Sequence, residues 1–376
     1  MRDKKKIIRA VTVPQSLCFC REVMLKMRAM GYNMMAVTSP GPELDDLRAK
    51  DGFHCVGVPM QRHVSIVSDL KSLVRMTGVF MKERPWVVHS MTPKAGLVCM
   101  LAAWLTRVPV RVHTFTGLVW PTATGLKRRV LMLTDWITCA CATHVIPEGR
   151  GVMDDLRRGG ITRKPMHVLG YGNVMGVDME RFSPERFAHH EPTRVFTFLF
   201  VGRIVRDKGI NELVEAFVRL HADHPATRLI LVGNYERSLD PVSEDTQKLI
   251  DACDAIDAVG PKYGDDLPRA YAAADCFVMP SYREGFPNTV LEAGAMGLPS
   301  IVTDINGSRE IVENGKNGFV VPPRDAVALH DAMKCMLTDD DARRCMAREA
   351  RPMIASRFDR DFVQQCQIEF YKEVIG

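Results

Sequence analysis

The chain of 376 residues is 46% hydrophobic and 25% charged, enough apolar content for the cores of two ordinary domains and too much for a disordered polymer. Its formal charge is +5, but residues 1–182 carry 27 Lys and Arg against 14 Asp and Glu, a balance of +13, and the remainder stands at −8. A half so basic is drawn to the phosphates of a nucleic acid, an anionic membrane or a lipid carrier, unless it is simply a solvated face.

The start, Met1 to Arg9, is basic like a signal peptide, but Arg9 interrupts the apolar run and Pro14 closes it, so no export signal is read. The longest apolar stretch, Gly96 to Leu105, is about half of the twenty or so residues that cross a bilayer, and the protein is expected to be soluble or peripheral. Eleven cysteines are scattered without a CxxC pair beside 22 methionines, as in a reducing cytoplasm. The close pairs, Cys18/Cys20 and Cys139/Cys141, read as structural thiols.

Ile7 to Val13 is an apolar run of the strand type, and Arg21 to Met30 has helical spacing that ends at Gly31. Strand-like Asn33 to Thr38 and Phe53 to Val58 follow, then a long helical stretch from Ile66 to Met81, a strand at Trp86 to Ser90, a helix over 94–105 and a strand at Val108 to Thr114. Repeated β-α-β alternation implies a parallel sheet wrapped by helices. Glycines at 170–176, Ser183-Pro184 and a polar stretch over 185–194 break the rhythm, which places a domain boundary after residue 184.

The second half restarts with Val195 to Val201, a helix from Ile210 to Leu220, a strand at Arg228 to Val232, a helix near 243–254 and a strand near 255–259. A helix after Asp265, a strand at Asp275 to Pro280, a helix from Asn288 and a strand at Ser300 to Thr303 complete it. Two doubly wound domains follow, 1–184 and 185–356, and Phe358 to Val374 has the spacing of a packed terminal helix within a segment 357–376. Neither half carries the GxGxxG of a dinucleotide-binding turn.

The most informative stretch is Pro280-Ser-Tyr-Arg-Glu-Gly-Phe-Pro-Asn-Thr-Val-Leu-Glu-Ala-Gly-Ala-Met-Gly-Leu-Pro299. A strand ends, a Gly-containing loop turns, and a helix begins at Pro287, whose N-terminus favours an anion. Glu284 in the loop and Glu292 one turn inside the helix both reach a ligand lying across that N-terminus, and a carboxylate accepts a fork of hydrogen bonds from two neighbouring hydroxyls. A second cluster, Gly202-Arg-Ile-Val-Arg-Asp-Lys-Gly209, ends the first strand of the half, where Arg203 and Lys208 converge on a diphosphate. Arg206 reads as surface. No Asp-x-Asp stands at a strand end to hold a metal-diphosphate, and Asp339-Asp-Asp341 opens a helix, so it reads as a cap.

These residues resemble the retaining GT-B-fold glycosyltransferases of family 4, whose hallmark is two glutamates with seven residues between, the spacing of Glu284 and Glu292. The likeness runs over most of residues 195–323, through Gly307-Ser-Arg-Glu310 and Gly315-Lys-Asn-Gly318. It implies an α/β fold of two Rossmann-like domains facing a central cleft, acceptor on the first and nucleotide-sugar on the second, with the terminal helix crossing back to the first. It also implies that Gly202, Arg203, Lys208, Glu284, Gly285, Phe286, Asn288, Thr289 and Glu292 bind the donor. Glu284 then positions the sugar without attacking it, and Arg203 and Lys208 neutralise the leaving group in place of a metal. No cofactor or metal is expected.

In the first half, Thr92-Pro-Lys-Ala-Gly-Leu, Ala102-Ala-Trp, Val108-Pro-Val-Arg-Val-His-Thr and Ala140-Cys-Ala-Thr-His resemble the subgroup acting on polyprenyl-diphosphate-linked saccharides in capsule, O-antigen or glycan assembly. His113, read as ending a strand, matches the family histidine beside the donor sugar; His89 is a weaker candidate. The loop after Val13 lacks the paired glycines of many relatives, so Gln15 and Ser16 stand in as donor contacts. Pro261-Lys-Tyr-Gly264 replaces a glycine turn near the base and leaves Lys262 as the candidate there.

The implied reaction moves a hexose or N-acetylhexosamine from a nucleotide diphosphate, UDP first, to a polyprenyl-diphosphate-linked saccharide. The alternatives are a UDP-N-acetylhexosamine 2-epimerase of the same fold and a non-catalytic phosphate-binding protein. No aromatic-basic interleaving speaks for nucleic acid. The expected location is the cytoplasm. Lys127-Arg-Arg129 beside Val130 to Ile137 suggests peripheral contact with the anionic inner face of the cytoplasmic membrane, the other reading being a core helix with a charged end.

Overall fold

Ile7, Ile8 and Ala10 present apolar side chains to both faces of a sheet and are wholly buried, as a central parallel strand between two helical layers requires. The computed structural model describes residues 3–61, 65–187, 195–236 and 240–376. In the first half, β1 (Asp3–Ala10), β2 (Asn33–Thr38), β3 (His54–Gly57), β4 (Pro85–Met91), β5 (Val110–Phe115) and β6 (His144–Pro147) form one parallel sheet in the order 3-2-1-4-5-6. Between them run α1 (Arg21–Ala29), α2 (Pro42–Asp51), α3 (Ile66–Glu83), α4 (Pro93–Leu105) and α5 (Gly125–Cys141), with α6 (Arg150–Arg158) after β6. One core cluster joins α3, α4 and α5 to one face of the sheet, and another joins α1 and α2 to the opposite face.

The second half repeats the plan. Strands β7 (Phe196–Val201), β8 (Thr227–Val232), β9 (Ile256–Gly260), β10 (Cys276–Met279), β11 (Ser300–Thr303) and β12 (Gly318–Val321) form a second parallel sheet, in the order 12-11-10-7-8-9. The helices are α7 (Ile210–Asp223), α8 (Glu244–Ala252), α9 (Asp266–Ala272), α10 (Asn288–Ala295), α11 (Ser308–Ile311), α12 (Ala326–Thr338), α13 (Asp340–Phe358) and α14 (Arg360–Ile375).

The chain divides into two units, residues 1–175 with 361–376, and residues 176–360. The boundary thus falls at 175/176 rather than after 184, because Val177 and Phe182 bury in the core of the second unit. Arg351 also binds the carbonyls of Phe182 (2.6 Å) and Met179 (2.9 Å). Residues 188–194 of the expected linker lie outside the described residues. The terminal segment starts at Asp361 rather than 357: Val177 N–H donates to Phe358 O and Arg360 N–H to Val177 O, which ties the chain to the second unit up to Arg360.

Beyond that point α14 belongs to the first unit. The Tyr371 ring is buried, and its hydroxyl lies 2.5 Å from Arg9 Nη1 and 2.6 Å from His89 Nδ1. His89 Nε2 in turn pairs with Thr114 Oγ1 at 2.7 Å, so this histidine is a structural link. Strand β1 also begins earlier than its apolar run, at Asp3, with an irregular register before Ile7. Asp339 caps α13 by accepting from Ala342 N–H at 3.0 Å, which is the role its sequence position suggested.

Candidate active site

In the second unit the C-terminal ends of β7, β9 and β10 bring most of the candidate residues to one edge of the sheet, the place where doubly wound folds bind ligands. Gly202 and Arg203 follow β7, Lys208 ends the next short turn, Lys262 follows β9, and Glu284 to Thr289 follow β10. Two glycines make the loops fit. Gly209 has φ +70°, and a Cβ there would lie 2.0 Å from the Pro280 carbonyl oxygen. Gly307 has φ +73°, and its Cβ would lie 2.4 Å from Gly285 O. The Lys208-Gly209 turn therefore seats directly on the end of β10, and the loop after β11 seats on the Glu284-Gly285 turn.

That close approach pairs Lys208 Nζ with the Glu284 carboxylate, both largely enclosed. The two loops are stitched further by Tyr282 N–H to Asp207 O at 2.9 Å and by an Arg283–Asp207 ion pair at 2.9 Å. Asp207 N–H donates to Asp240 Oδ2 at 2.6 Å. Arg203 is exposed and pairs with Glu236 at 2.7 Å. Each cation proposed for a diphosphate is thus paired with a carboxylate.

Glu292 lies on α10, whose first residue is Asn288, with Pro287 at the cap rather than at the first helical position. Its Oε2 accepts from the Tyr271 hydroxyl at 2.8 Å. Burial pushes its carboxyl up to about 7, against the opposing effects of the Tyr271 hydrogen bond and the Arg181 charge. Tyr271 and Arg181 were invisible to motif reading, since nothing local links them to a glutamate on another helix. Thr289 is half-buried on the same helix turn, with its hydroxyl 3.4 Å from Met279 Sδ.

Four candidates lie apart from this cluster or sit differently from expectation. The Phe286 ring is a core residue, packed with Val290 and 5.3 Å from the Phe358 ring, so only its backbone is available to a ligand. His113 lies inside β5 rather than at its end and is 1% exposed. Its Nδ1 pairs with Ser90 Oγ at 2.8 Å, and its ring leaves so little room beneath α4 that a Cβ on Gly96 would lie 2.5 Å from it. Burial lowers its pKa to about 3, so the imidazole is neutral at working pH. Gln15 and Ser16 lie in a short helical turn after β1 in the first unit, Gln15 exposed and Ser16 N–H bonded to Val13 O. Among the described residues, no group of three or more His, Cys, Asp or Glu is placed to hold a metal ion.

Residues 19–172 match the glycosyl transferase 4-like domain and residues 182–353 the model of glycosyl transferases group 1. The chain is 31% identical over 371 residues to the capsular polysaccharide biosynthesis glycosyltransferase CapM of Staphylococcus aureus, covering 96% of this chain and 94% of that one. It is 28% identical over 332 residues to the UDP-Gal:alpha-D-GlcNAc-diphosphoundecaprenol alpha-1,3-galactosyltransferase of Escherichia coli, covering 85% and 83%. The structure of Anabaena Alr3699/HepE in complex with UDP superposes with a TM-score of 0.79 at 18% identity over 98% of this chain and all of that one, which shows a shared GT-B fold. With both units matched and a full-length relative alongside, the chain belongs to the group 1 glycosyltransferases.

Proposed function

We propose that the protein transfers a hexose or N-acetylhexosamine, with retention of anomeric configuration and without a metal, from a UDP-sugar to a saccharide carried on polyprenyl diphosphate. The setting is polysaccharide assembly of the capsular kind. The observation that carries the reading is the gathering of Arg203, Lys208, Glu284 and Glu292 at one sheet edge, two of them in direct ion-pair contact. The names of the relatives support the rest: CapM for the capsule, the Escherichia coli enzyme for UDP-galactose and a diphosphoundecaprenol-linked acceptor, and HepE for bound UDP.

In this reading the Glu292 carboxylate accepts from two ribose hydroxyls, held in place by Tyr271. Glu284 takes sugar hydroxyls and keeps Lys208 aimed at the diphosphate. The acceptor oxygen bonds to the anomeric carbon on the face from which the diphosphate departs. The breaking bond's electron pair goes to the phosphate oxygen, which also takes the acceptor proton, so no protein nucleophile is needed. Arg203 and Lys208 stabilise the charge that grows there.

Calorimetry tests the donor side. UDP should bind more tightly than GDP, and Glu292→Ala should weaken UDP by on the order of 2–4 kcal/mol through loss of two charge-assisted hydrogen bonds. Unchanged affinity would remove Glu292 from the site. Turnover in excess chelator should equal that in Mg²⁺; restoration by Mg²⁺ or Mn²⁺ after chelation would overturn the account of the leaving group.

A further inference from the structure

Helix α3 is apolar on more than the face that covers the sheet. Its inward face is Ser72, Met76 and Phe80, yet Ile66, Val67, Leu70, Val74 and Met81, which fall within one 100° sector by helical spacing, are 60–83% exposed. The sector beside it carries the exposed cations Lys71, Arg75 and Lys82. The two acids of the helix point elsewhere, Asp69 to Lys94 and Glu83 to Lys6, each at 2.6 Å.

The neighbouring helices extend the same surface. α3 packs along α4 and α4 along α5, and these expose Trp104 and Leu105 and then Leu133 and Trp136. Ten of the eighteen large apolar side chains exposed among the described residues belong to this one layer, so the apolar exposure is concentrated well beyond the scatter of an ordinary surface. Where α3 and α4 end, Phe80, Met81, Leu105, Arg84 and Arg107 line a depression of about 590 Å³. Arg84 and Arg107 are both exposed, and neither has an ion pair or side-chain hydrogen bond among the described residues.

We propose that the outward face of α3, α4 and α5 docks on the surface of an anionic lipid bilayer. The apolar stripe of α3 enters the interface, the flanking cations meet the headgroups, and the Arg84–Arg107 depression takes a lipid phosphate. Charge decides the occupant. A second copy of the chain would bring Lys71, Arg75, Lys82, Arg84 and Arg107 against their own images, which repels. An anionic bilayer complements both the cations and the apolar stripe, and Trp104 and Trp136 suit its boundary. The purpose of the contact rests on the reading of a lipid-linked acceptor; its existence is measured without donor or acceptor.

Co-sedimentation with vesicles of phosphatidylcholine alone, or of equal parts phosphatidylcholine and phosphatidylglycerol, tests the proposal. Wild type should bind the mixed vesicles in a salt-sensitive way and the neutral ones weakly. The triple variant Lys71→Gln, Arg75→Gln, Lys82→Gln should bind about a hundredfold more weakly at low salt, and Leu70→Asn with Val74→Asn about tenfold more weakly at any salt. Arg84→Gln with Arg107→Gln should bind the mixed vesicles about tenfold more weakly. All these positions are exposed, so each variant should keep the wild-type melting temperature. Equal binding by the variants, no wild-type binding, or a dimer that Leu70→Asn with Val74→Asn dissociates in the absence of vesicle binding would each overturn the proposal. Transfer to a water-soluble short-chain acceptor separates the two readings. A wild type that transfers sugar but ignores vesicles sinks the docking surface alone, and one that binds vesicles but transfers to no lipid-linked acceptor sinks the function alone.

Discussion

A carboxyl held near 7 beside a hydroxyl donor makes Glu292 the most pH-sensitive group at the candidate site. The sign of the effect follows from linkage. Its folded pKa lies above the ordinary carboxylate value of about 4.5, so the folded state binds the proton more tightly, and stability falls as pH rises from about 4.5 to 7. Glu292→Gln should flatten that limb and raise stability at pH 8 by up to about 3 kcal/mol, read by urea denaturation across pH. The same variant should lose donor affinity, because an amide cannot accept a fork from two hydroxyls as a carboxylate does. Tyr271→Phe removes a hydrogen bond that favours the charged form, and should move the rise of UDP affinity to higher pH. A pH profile unchanged in both variants would show that Glu292 is not the titrating group.

For the two cations the expected signature is kinetic. Arg203→Ala and Lys208→Ala should lower kcat by about tenfold or more each, with a smaller change in donor affinity, since the diphosphate charge they meet is largest in the transition state. An effect confined to KM would assign them to ground-state binding. Arg203, Lys208, Glu284 and Glu292 were readable from sequence because each pair sits within a few residues on one loop-helix unit. The Lys208–Glu284 contact joins positions 76 apart and the Tyr271–Glu292 bond positions 21 apart, and such tertiary contacts leave no local trace. His113 was misplaced for a related reason: an apolar strand pattern does not reveal where the strand stops, and β5 runs on to Phe115.

At the scale of elements, Gly209 and Gly307 let loops approach the end of β10. Gly209→Ala should cost at least about 2 kcal/mol in stability, because its φ is left-handed and its Cβ meets a carbonyl. The displaced turn should also separate Lys208 from Glu284 and cut transfer activity. Thermal melts and steady-state rates measured together check this; a stable, fully active variant would contradict the seating argument. The alternation of strands and helices was legible because buried parallel strands are apolar runs and their helices keep a 3.6 period. Helix α2 escaped that reading. Only Leu44 and Leu47 are buried in this ten-residue helix, and apart from Pro42 and Ala49 its other positions are charged, so there is no stripe to see.

At the scale of the molecule, the chain leaves the first unit at Met175 and returns at Asp361, and α14 anchors that return. Its Tyr371 meets Arg9, a cation with 1% exposure whose side-chain partners are neutral. Tyr371→Phe should cost about 2–3 kcal/mol, leaving a buried guanidinium short of an acceptor. Adding Arg9→Met should recover part of the loss, since an apolar side chain needs no partner there. Chemical denaturation of the three variants reads this coupling; strictly additive losses would mean that the two side chains do not act as a pair. The terminal helix was visible as an amphipathic segment, but its docking on Arg9 was not, because a buried arginine in a strand resembles a simple break in an apolar run.

Identification of the product tests the central claim most directly. The protein is incubated with a UDP-sugar panel and a polyprenyl-diphosphate-linked saccharide, in chelator, and the product is read by mass spectrometry and by the anomeric coupling in its NMR spectrum. The account predicts a saccharide longer by one sugar with the donor's anomeric configuration, formed only when acceptor is present. Conversion of a UDP-sugar to its epimer without acceptor, or a product of inverted configuration, would contradict it.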